Sequence, residues 1–294
     1  MGVSFRHNIW VQGARPRTLP AAIAPVLVGA GASVGVVGSN VVWANALFAL
    51  VVSLALQVGV NYANDYSDGI RGTDSHRVGP MRLVGSGAVP ARQVKMASFS
   101  SFGVACVGGL LIAATTSWWL LLVGVVCIAA AWGYTGGPKP YGYLGLGELF
   151  VFIFFGVVAT TGTTYAITRN ITSLSLVCSV AVGALACALL VVNNLRDIPG
   201  DTQAGKITLA VKLGDRTTRG LYVALIGLAA LSIAVAAFER LPAVTGLVGL
   251  IAALPAIREI RRGASGKQLI PVLGATGRAQ LIVAILLTAG LIIG

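Results

Sequence analysis

Nine apolar runs divide this chain, and its charged residues fall almost entirely between them. The runs cover Leu19–Val37, Val42–Val60, Val94–Ala114, Trp118–Trp132, Leu144–Ala166, Leu174–Val192, Leu221–Phe238, Leu241–Ile257 and Ala279–Ile293. Each is ~15–23 residues long, near the length a helix needs to cross the hydrocarbon layer. Lipid cannot hydrogen-bond a backbone, so only helices or closed barrels span it, and continuous rather than alternating apolarity selects helices. The pattern therefore predicts an all-α integral membrane protein with nine transmembrane helices in a bundle. Residues 1–18 place Arg6, Arg15 and Arg17 beside Phe5, Ile9 and Trp10, which reads as a short helix lying at the interface. The first apolar run begins only at Leu19 and many follow, unlike a cleavable signal.

Composition agrees. Of 294 residues, 56% are hydrophobic and 10% charged, and the mean hydropathy is +0.86, outside the range of soluble globular chains. The net charge of +12 invites a nucleic-acid reading, but its distribution argues for topology instead. With a cytoplasmic N-terminus, that terminus and the loops after spans two, four, six and eight hold 19 of the 21 Lys and Arg residues. Only Arg169 and Arg240 fall on the other side. The expectation is a multi-pass protein of the cell membrane with an outside C-terminus, a lipid bilayer as its partner and no nucleic acid. Cys106, Cys127, Cys178 and Cys187 all sit in apolar runs and form no CxxC, so they read as small core residues.

The acids are distributed unevenly. Of nine, three lie between Asn61 and Asp74 and two between Asn193 and Asp201. Each stretch follows the second span of a four-span set, at roughly 61–93 and 193–220. This suggests a tandem repeat with halves near 19–132 and 144–257 and a ninth helix at 279–293, all in one domain over 1–294. If the helices continue past the membrane surface, Asp65 with Asp68, and Asp197 with Asp201, share a face in each half. Asn61, Asn64, Asn193 and Asn194 add neutral oxygens. Carboxylates and carboxamides without His or Cys clusters suit a hard cation such as Mg²⁺. Arg71, Arg77, Arg82, Arg196, Lys206 and Lys212 lie in the same stretches, so the combination points to a metal-bridged polyanion, most simply a diphosphate. Tyr134, Lys139, Tyr141 and Tyr143 follow span four near the same face. Gly200 to Lys206 imitates a phosphate loop but lacks both the Ser/Thr after the lysine and a preceding strand. His7 and His76 stand alone. A membrane transporter for a cation or a phosphate ester stays open, although charges at helix ends on one face favour an interfacial enzyme.

Along essentially its full length the chain resembles the UbiA superfamily of intramembrane aromatic prenyltransferases. The residues carrying this are Ala14-Arg-Pro-Arg-Thr-Leu-Pro-Ala-Ala-Ile-Ala-Pro-Val-Leu-Val-Gly29, Asn61 to Asp74, Arg77 to Arg82, Asn193 to Asp201, and Gly205 to Val211. The first and third favour the branch acting on 1,4-dihydroxy-2-naphthoate. The family's first motif is NxxxDxxxD. Asn64 and Asp68 fit it, but the next acid, Asp74, comes two positions late, and Val192 and Arg196 stand where many members have Tyr and Lys. The resemblance implies a helical bundle around a central cavity capped by polar loops. It further implies Mg²⁺-dependent transfer of a polyprenyl group from its diphosphate to the naphthoate, with decarboxylation to demethylmenaquinol in menaquinone synthesis. The ligands would come from Asn64, Asp65, Asp68, Asp74, Asp197 and Asp201, with the four aspartates outside Asp74 carrying catalysis. Arg71, Arg77, Arg82, Arg196 and Lys206 would take the diphosphate. Asn61, Asn193, Tyr134, Lys139 and Tyr141 would face the aromatic acceptor. A sister enzyme using 4-hydroxybenzoate is the alternative. Phe150, Phe152, Phe154 and Phe155 in span five are candidates for a prenyl-tail path, or else face lipid.

Overall fold

A computed structural model describes residues 8–36, 42–73 and 81–294. Among these residues every regular element is helical. Seven helices are long and apolar enough to cross a membrane, and two apolar helices are shorter. In chain order the elements are α1 (Ile9–Ala14), α2 (Pro20–Gly31), α3 (Ala44–Arg71), α4 (Ala91–Thr115), α5 (Leu120–Gly133) and α6 (Gly147–Thr168). Then come α7 (Ser173–Gln203), α8 (Leu209–Glu239), α9 (Leu241–Arg261) and α10 (Leu269–Ile293).

The first expected span is cut short. Helix α2 ends at Gly31, and Gly35 adopts φ +79, where a side chain is strained. Within α2, Gly29 packs so closely that a Cβ there would stand 2.3 Å from the carbonyl oxygen of Thr160. This helix approaches its neighbours through missing side chains, which is how membrane helices gain packing without a hydrophobic drive.

Four other spans, α3, α7, α8 and α10, run well beyond their apolar stretches, and in α3 and α7 this corrects the expectation of acidic loops. Helix α3 continues eleven residues beyond Val60 to Arg71, and stops where Gly72 turns left-handed at φ 72. Helix α7 runs to Gln203, with Pro199 in its last two turns. Both acidic stretches are therefore helical extensions of membrane spans. Side-chain spacing there is fixed by the 3.6-residue repeat.

The bundle has one inner helix. In α7, 78% of the apolar window is buried inside the protein, against 28–50% for the other long helices. Helices α2, α8 and α10 pack against it, and α9 closes on α10. Together they form the largest hydrophobic cluster, which includes Val28, Leu185, Tyr222, Ile233 and Leu287. Where α6 meets α7, its backbone widens into a π-helical stretch over Phe152–Val158. That stretch seats Gly156 on Gly183, where a Cβ on Gly156 would stand 2.5 Å from the Gly183 Cα. By contrast, α3, α4 and α5 share only small buried clusters of three or four residues, and α5 buries Ala131 alone.

Candidate active site

The loosely packed side of the bundle contains a cavity of about 1260 Å³. Helices α2 to α7 and the segment Val11–Thr18 line it. Leu273 of α10 joins them, and α8 and α9 contribute nothing. Along α3 its wall runs from Ala49 to Asp68, which at 1.5 Å per residue is ~28 Å, close to the thickness of the hydrocarbon layer. One end is polar, with Asn61, Asn64, Asp68, Arg82, Asn193, Asn194, Arg196, Asp197 and Lys206. The remaining wall is apolar, and includes Val52, Ile112, Leu120, Val125 and Phe154. A second cavity of about 340 Å³ adjoins the polar end and adds Thr73, Asp201 and Asp215. Asp68, Arg196, Asp197 and Lys206 line both, and so form the boundary between them.

Helical periodicity decides which acids meet there. Asn64 and Asp68 are four apart on α3, as Asn193 and Asp197 are on α7, and each pair faces the large cavity. Asp68 is buried. Its Oδ1 accepts the Tyr143 hydroxyl at 2.6 Å, and the Lys206 ammonium stands 3.5 Å from its Oδ2 and 4.0 Å from Asp201. Lys206 and Arg71 both lie over the Tyr143 ring, at 5.0 and 5.3 Å from its centroid. Burial first, and then the Asp68 carboxylate, push the Tyr143 phenol above the ordinary tyrosine range, so it stays a donor. Arg196 donates from Nε and a terminal nitrogen to both oxygens of Asp197, at 2.7 Å each, and to Asn193 Oδ1 at 2.8 Å. Thr135 donates to Asn64 Oδ1 at 2.7 Å.

Several expected site residues are placed elsewhere. Asp65 and Asp68 do not share a face: Asp65 is fully buried and accepts the backbone N–H groups of Leu83 and Val84 at 2.9 and 3.0 Å. A carboxylate three positions from another sits 60° round the helix, enough here to turn it from the cavity to the loop. Arg71 donates to the carbonyls of Thr135 and Gly137, and so ties down the loop after α5. Asn61 lines the cavity while donating to Ala14 O and Thr18 Oγ1 and accepting from Gln57, which anchors the N-terminal segment. Tyr134 and Tyr141 line the cavity, and burial pushes both phenols up. Lys139 is exposed and outside the cavity. Lys212 donates to Leu144 O, away from the acids. Asp74, Arg77 and His76 lie outside the described residues.

Cys106 and Cys127 also depart from expectation, because they line the cavity, whereas Cys178 and Cys187 are buried. Phe150, Phe154 and Phe155 line it as well, but Phe152 packs on Gly183. Sequence reasoning passed over Thr135 and Glu148. The signal for Glu148 was available, since it is an acid at the head of an apolar run. Thr135 carried none.

The donor set fits a magnesium ion shared with a substrate. Among the described residues no three acidic, His or Cys side chains are grouped closely enough to hold a metal alone. Mg²⁺ accepts one or two carboxylates and completes its shell with water and phosphate oxygens. Asp68, Asp197 and Asp201 around one small cavity, with the Lys206 cation among them, offer that arrangement.

Comparison with known proteins agrees with this architecture. The sequence profile of the UbiA prenyltransferase family matches residues 22–269. A 1,4-dihydroxy-2-naphthoate octaprenyltransferase of Mycobacterium tuberculosis is 52% identical over 285 residues, covering 97% of each chain. The apo structure of a UbiA homolog from Aeropyrum pernix superposes with a TM-score of 0.67 at 18% identity, covering 99% of each chain. A UbiA homolog from Archaeoglobus fulgidus bound to GPP and Mg²⁺ gives 0.58 at 14% identity, over 95% of this chain and 99% of the other. With the family profile spanning most of its length and a relative of this similarity matching end to end, the chain is a member of the UbiA prenyltransferase family.

Proposed function

We propose that this protein transfers a polyprenyl group from polyprenyl diphosphate to 1,4-dihydroxy-2-naphthoate, releasing the ring carboxylate as CO₂ and giving demethylmenaquinol for menaquinone synthesis. The observation that carries the reading is the shape of one cavity: it is ~28 Å long, charged at one end and mostly apolar for the ~16 Å of α3 from Val60 back to Ala49, which matches a diphosphate head on an isoprenoid tail. The M. tuberculosis relative, which carries the name of that activity, supports the choice of acceptor.

Mg²⁺ is proposed to be held by Asp68, Asp197 and Asp201 with Asn64, and when bound it neutralises charge on the departing diphosphate. Lys206, Arg82 and Arg196 take further phosphate oxygens through charge-assisted hydrogen bonds. Arg196 trades part of its hold on Asp197 to do so. Tyr143 keeps Asp68 in place by donating to it. The apolar wall excludes water from the allylic carbon, so that the ring rather than solvent attacks it. Asp65 and Arg71 leave the proposed reacting set, since each clasps a loop that bounds the mouth. Asp74 and Arg77 keep the roles that family resemblance gives them. The Mg²⁺-bound homolog supports the metal requirement.

The reading includes nine crossings, counting α2 and α5, with the N-terminus and polar mouth cytoplasmic and the C-terminus outside the cell membrane. The two four-helix halves and the ninth helix form a single domain. Charge asymmetry between the loops supports this topology.

The test is product formation by purified protein in detergent, with Mg²⁺, labelled polyprenyl diphosphate and either dihydroxynaphthoate or 4-hydroxybenzoate, beside an EDTA control. Metal-dependent, decarboxylated product from the naphthoate alone is expected. Product from the benzoate alone moves the enzyme to another pathway, and no product from either removes the activity.

A further inference from the structure

Glu148 stands at the head of α6, only 8% exposed. Its Oε1 accepts the Asn194 Nδ2–H at 2.9 Å, while its Oε2 is buried with no hydrogen-bond partner among the described residues. A half-satisfied buried carboxyl group costs stability, and a position that served packing alone would favour an apolar side chain. Its one polar contact reaches the site, because Asn194 lines the cavity and Glu148 lies directly behind it.

That contact orients an amide. A carboxylate oxygen only accepts, so the Asn194 nitrogen must turn toward Glu148. Oδ1 is then the end left for the cavity, and among the described residues the bond to Glu148 is the one this side chain makes. Asn194 precedes Asp197 by three residues, ~4.5 Å deeper along α7 than the acids at the mouth. Aromatic faces lie nearby. Tyr134 meets Tyr141 edge-on at 5.5 Å, Tyr141 stacks on Phe150 at 4.0 Å, and the Tyr134 ring and hydroxyl reach to within 3.4 Å of where a Cβ on Gly147 would stand. A flat substrate ring resting on these faces would bring a ring substituent to Asn194, next to the reacting end of the prenyl donor.

We propose that Glu148 is a positioning residue that turns the Asn194 Oδ1 into the cavity, as the acceptor for one ring hydroxyl of the aromatic substrate. The inference rests on the proposed transfer to a dihydroxynaphthoate. A hydroxyl donating to this oxygen is held in register and enriches the ring in electrons where it attacks. An ether at the same place has no hydrogen to give and leaves a desolvated acceptor unpaired.

The experiment measures dissociation constants of the two mono-O-methyl ethers of 1,4-dihydroxy-2-naphthoate by calorimetry on the full-length protein in detergent. The wild type is expected to bind one ether about tenfold more tightly than the other. In Glu148→Gln the new amide can donate to Asn194 Oδ1, reverse it and present a nitrogen to the cavity, so the two constants should converge to within about twofold. Asn194→Ala removes the acceptor and should give the same convergence, which decides the matter if Glu148→Gln fails to fold. The KM for polyprenyl diphosphate and the Mg²⁺ requirement of Glu148→Gln should match the wild type. Equal binding of the ethers by the wild type, binding of neither, a preference that survives in the folded variants, or an altered Mg²⁺ requirement with the preference intact would each overturn the proposal. Absence of naphthoate turnover in the wild type would instead sink the activity on which it rests.

Discussion

Helices α3 and α7 carry the same Asn-x-x-x-Asp spacing, yet their surroundings are opposite. The apolar window of α7 is 78% buried and that of α3 only 28%. Around α7 the helices meet through small residues: Ala181, Gly183, Ala184, Ala186 and Ala188 are all buried on it. Along α3 only α4 packs closely, while α2, α5 and α6 touch it sparsely and the cavity takes the space between them, with no lining from α8 or α9. One side of the bundle is solid and the other hollow. The solid side holds Asp197 and Arg196 on a close-packed frame, while the hollow side presents Asp68 across a space large enough for a lipid-like substrate. The contrast shows that two similar polar motifs need not have similar packing. Pre-organisation on one wall and room on the other come from which residues flank the motif.

The strongest way to break this comparison is to remove one acid from each wall. Asp68→Ala and Asp197→Ala are each expected to lower kcat by about 10²–10³-fold, because charge stabilisation in an enclosed site is worth that much per group. Both proteins should remain folded and membrane-inserted, as judged by monodisperse elution in detergent. Asp65→Asn, one residue beyond Asn64 in the same motif, should instead loosen the 81–87 loop and lower the melting temperature while keeping most of the kcat. If Asp65→Asn loses as much turnover as Asp68→Ala, the division between metal-holding and loop-holding acids collapses.

Much of this was legible from sequence for a physical reason. Apolar length reports the seven long helices, and the rarity of acids in lipid makes every acid conspicuous. Asn64, Asp68, Asn193, Asn194, Arg196, Asp197 and Lys206 all line the cavity as their clustering suggested. What escaped was direction. Asp65 lies in the same cluster as Asp68, and only the arrival of the Leu83 and Val84 amides decides that it turns away. Arg71 looked like a phosphate ligand, but its fork is matched by two backbone carbonyls 64 and 66 residues away. Helix ends were misjudged because apolarity stops at the membrane surface, whereas α3 and α7 continue in polar residues for several more turns. The hollow and solid halves were illegible, because apolar residues facing lipid, a cavity or a neighbouring helix have the same composition.

Packing tests the comparison next. Ile233 on α8 is fully buried in the solid half, and truncation to Ala should cost about 2–5 kcal/mol through the cavity it leaves. Val125 on α5 is 63% exposed and lines the hollow half, so its change to Ala should stay within about 0.5 kcal/mol. Thermal inactivation of both variants in one detergent gives the order. Equal losses would mean that α5 is packed more tightly than its exposure indicates.

A smaller effect on turnover than that of either aspartate lies where the two walls meet. Tyr143 donates to Asp68 at 2.6 Å, and its ring lies under both Lys206 and Arg71. Tyr143→Phe keeps the ring and both cation contacts, and removes only the donor. The loss should be about 10- to 100-fold in kcat, the scale of one hydrogen bond to a charged group, with little change in KM for the acceptor. The pH dependence follows from the raised phenol, whose cause is burial and then the Asp68 charge. An acid with a raised folded-state pKa binds its proton more tightly when folded. It therefore contributes stability that is fully present below the ordinary tyrosine value of about 10 and is lost as pH climbs from there toward the folded pKa. Wild type and Tyr143→Phe should accordingly have parallel stability profiles from pH 6 to 9, and differ in slope only above about 10. If the two profiles instead stay parallel above about pH 10, the phenol is solvated in the folded state, and Asp68 would then be open to water rather than held by the loop above it.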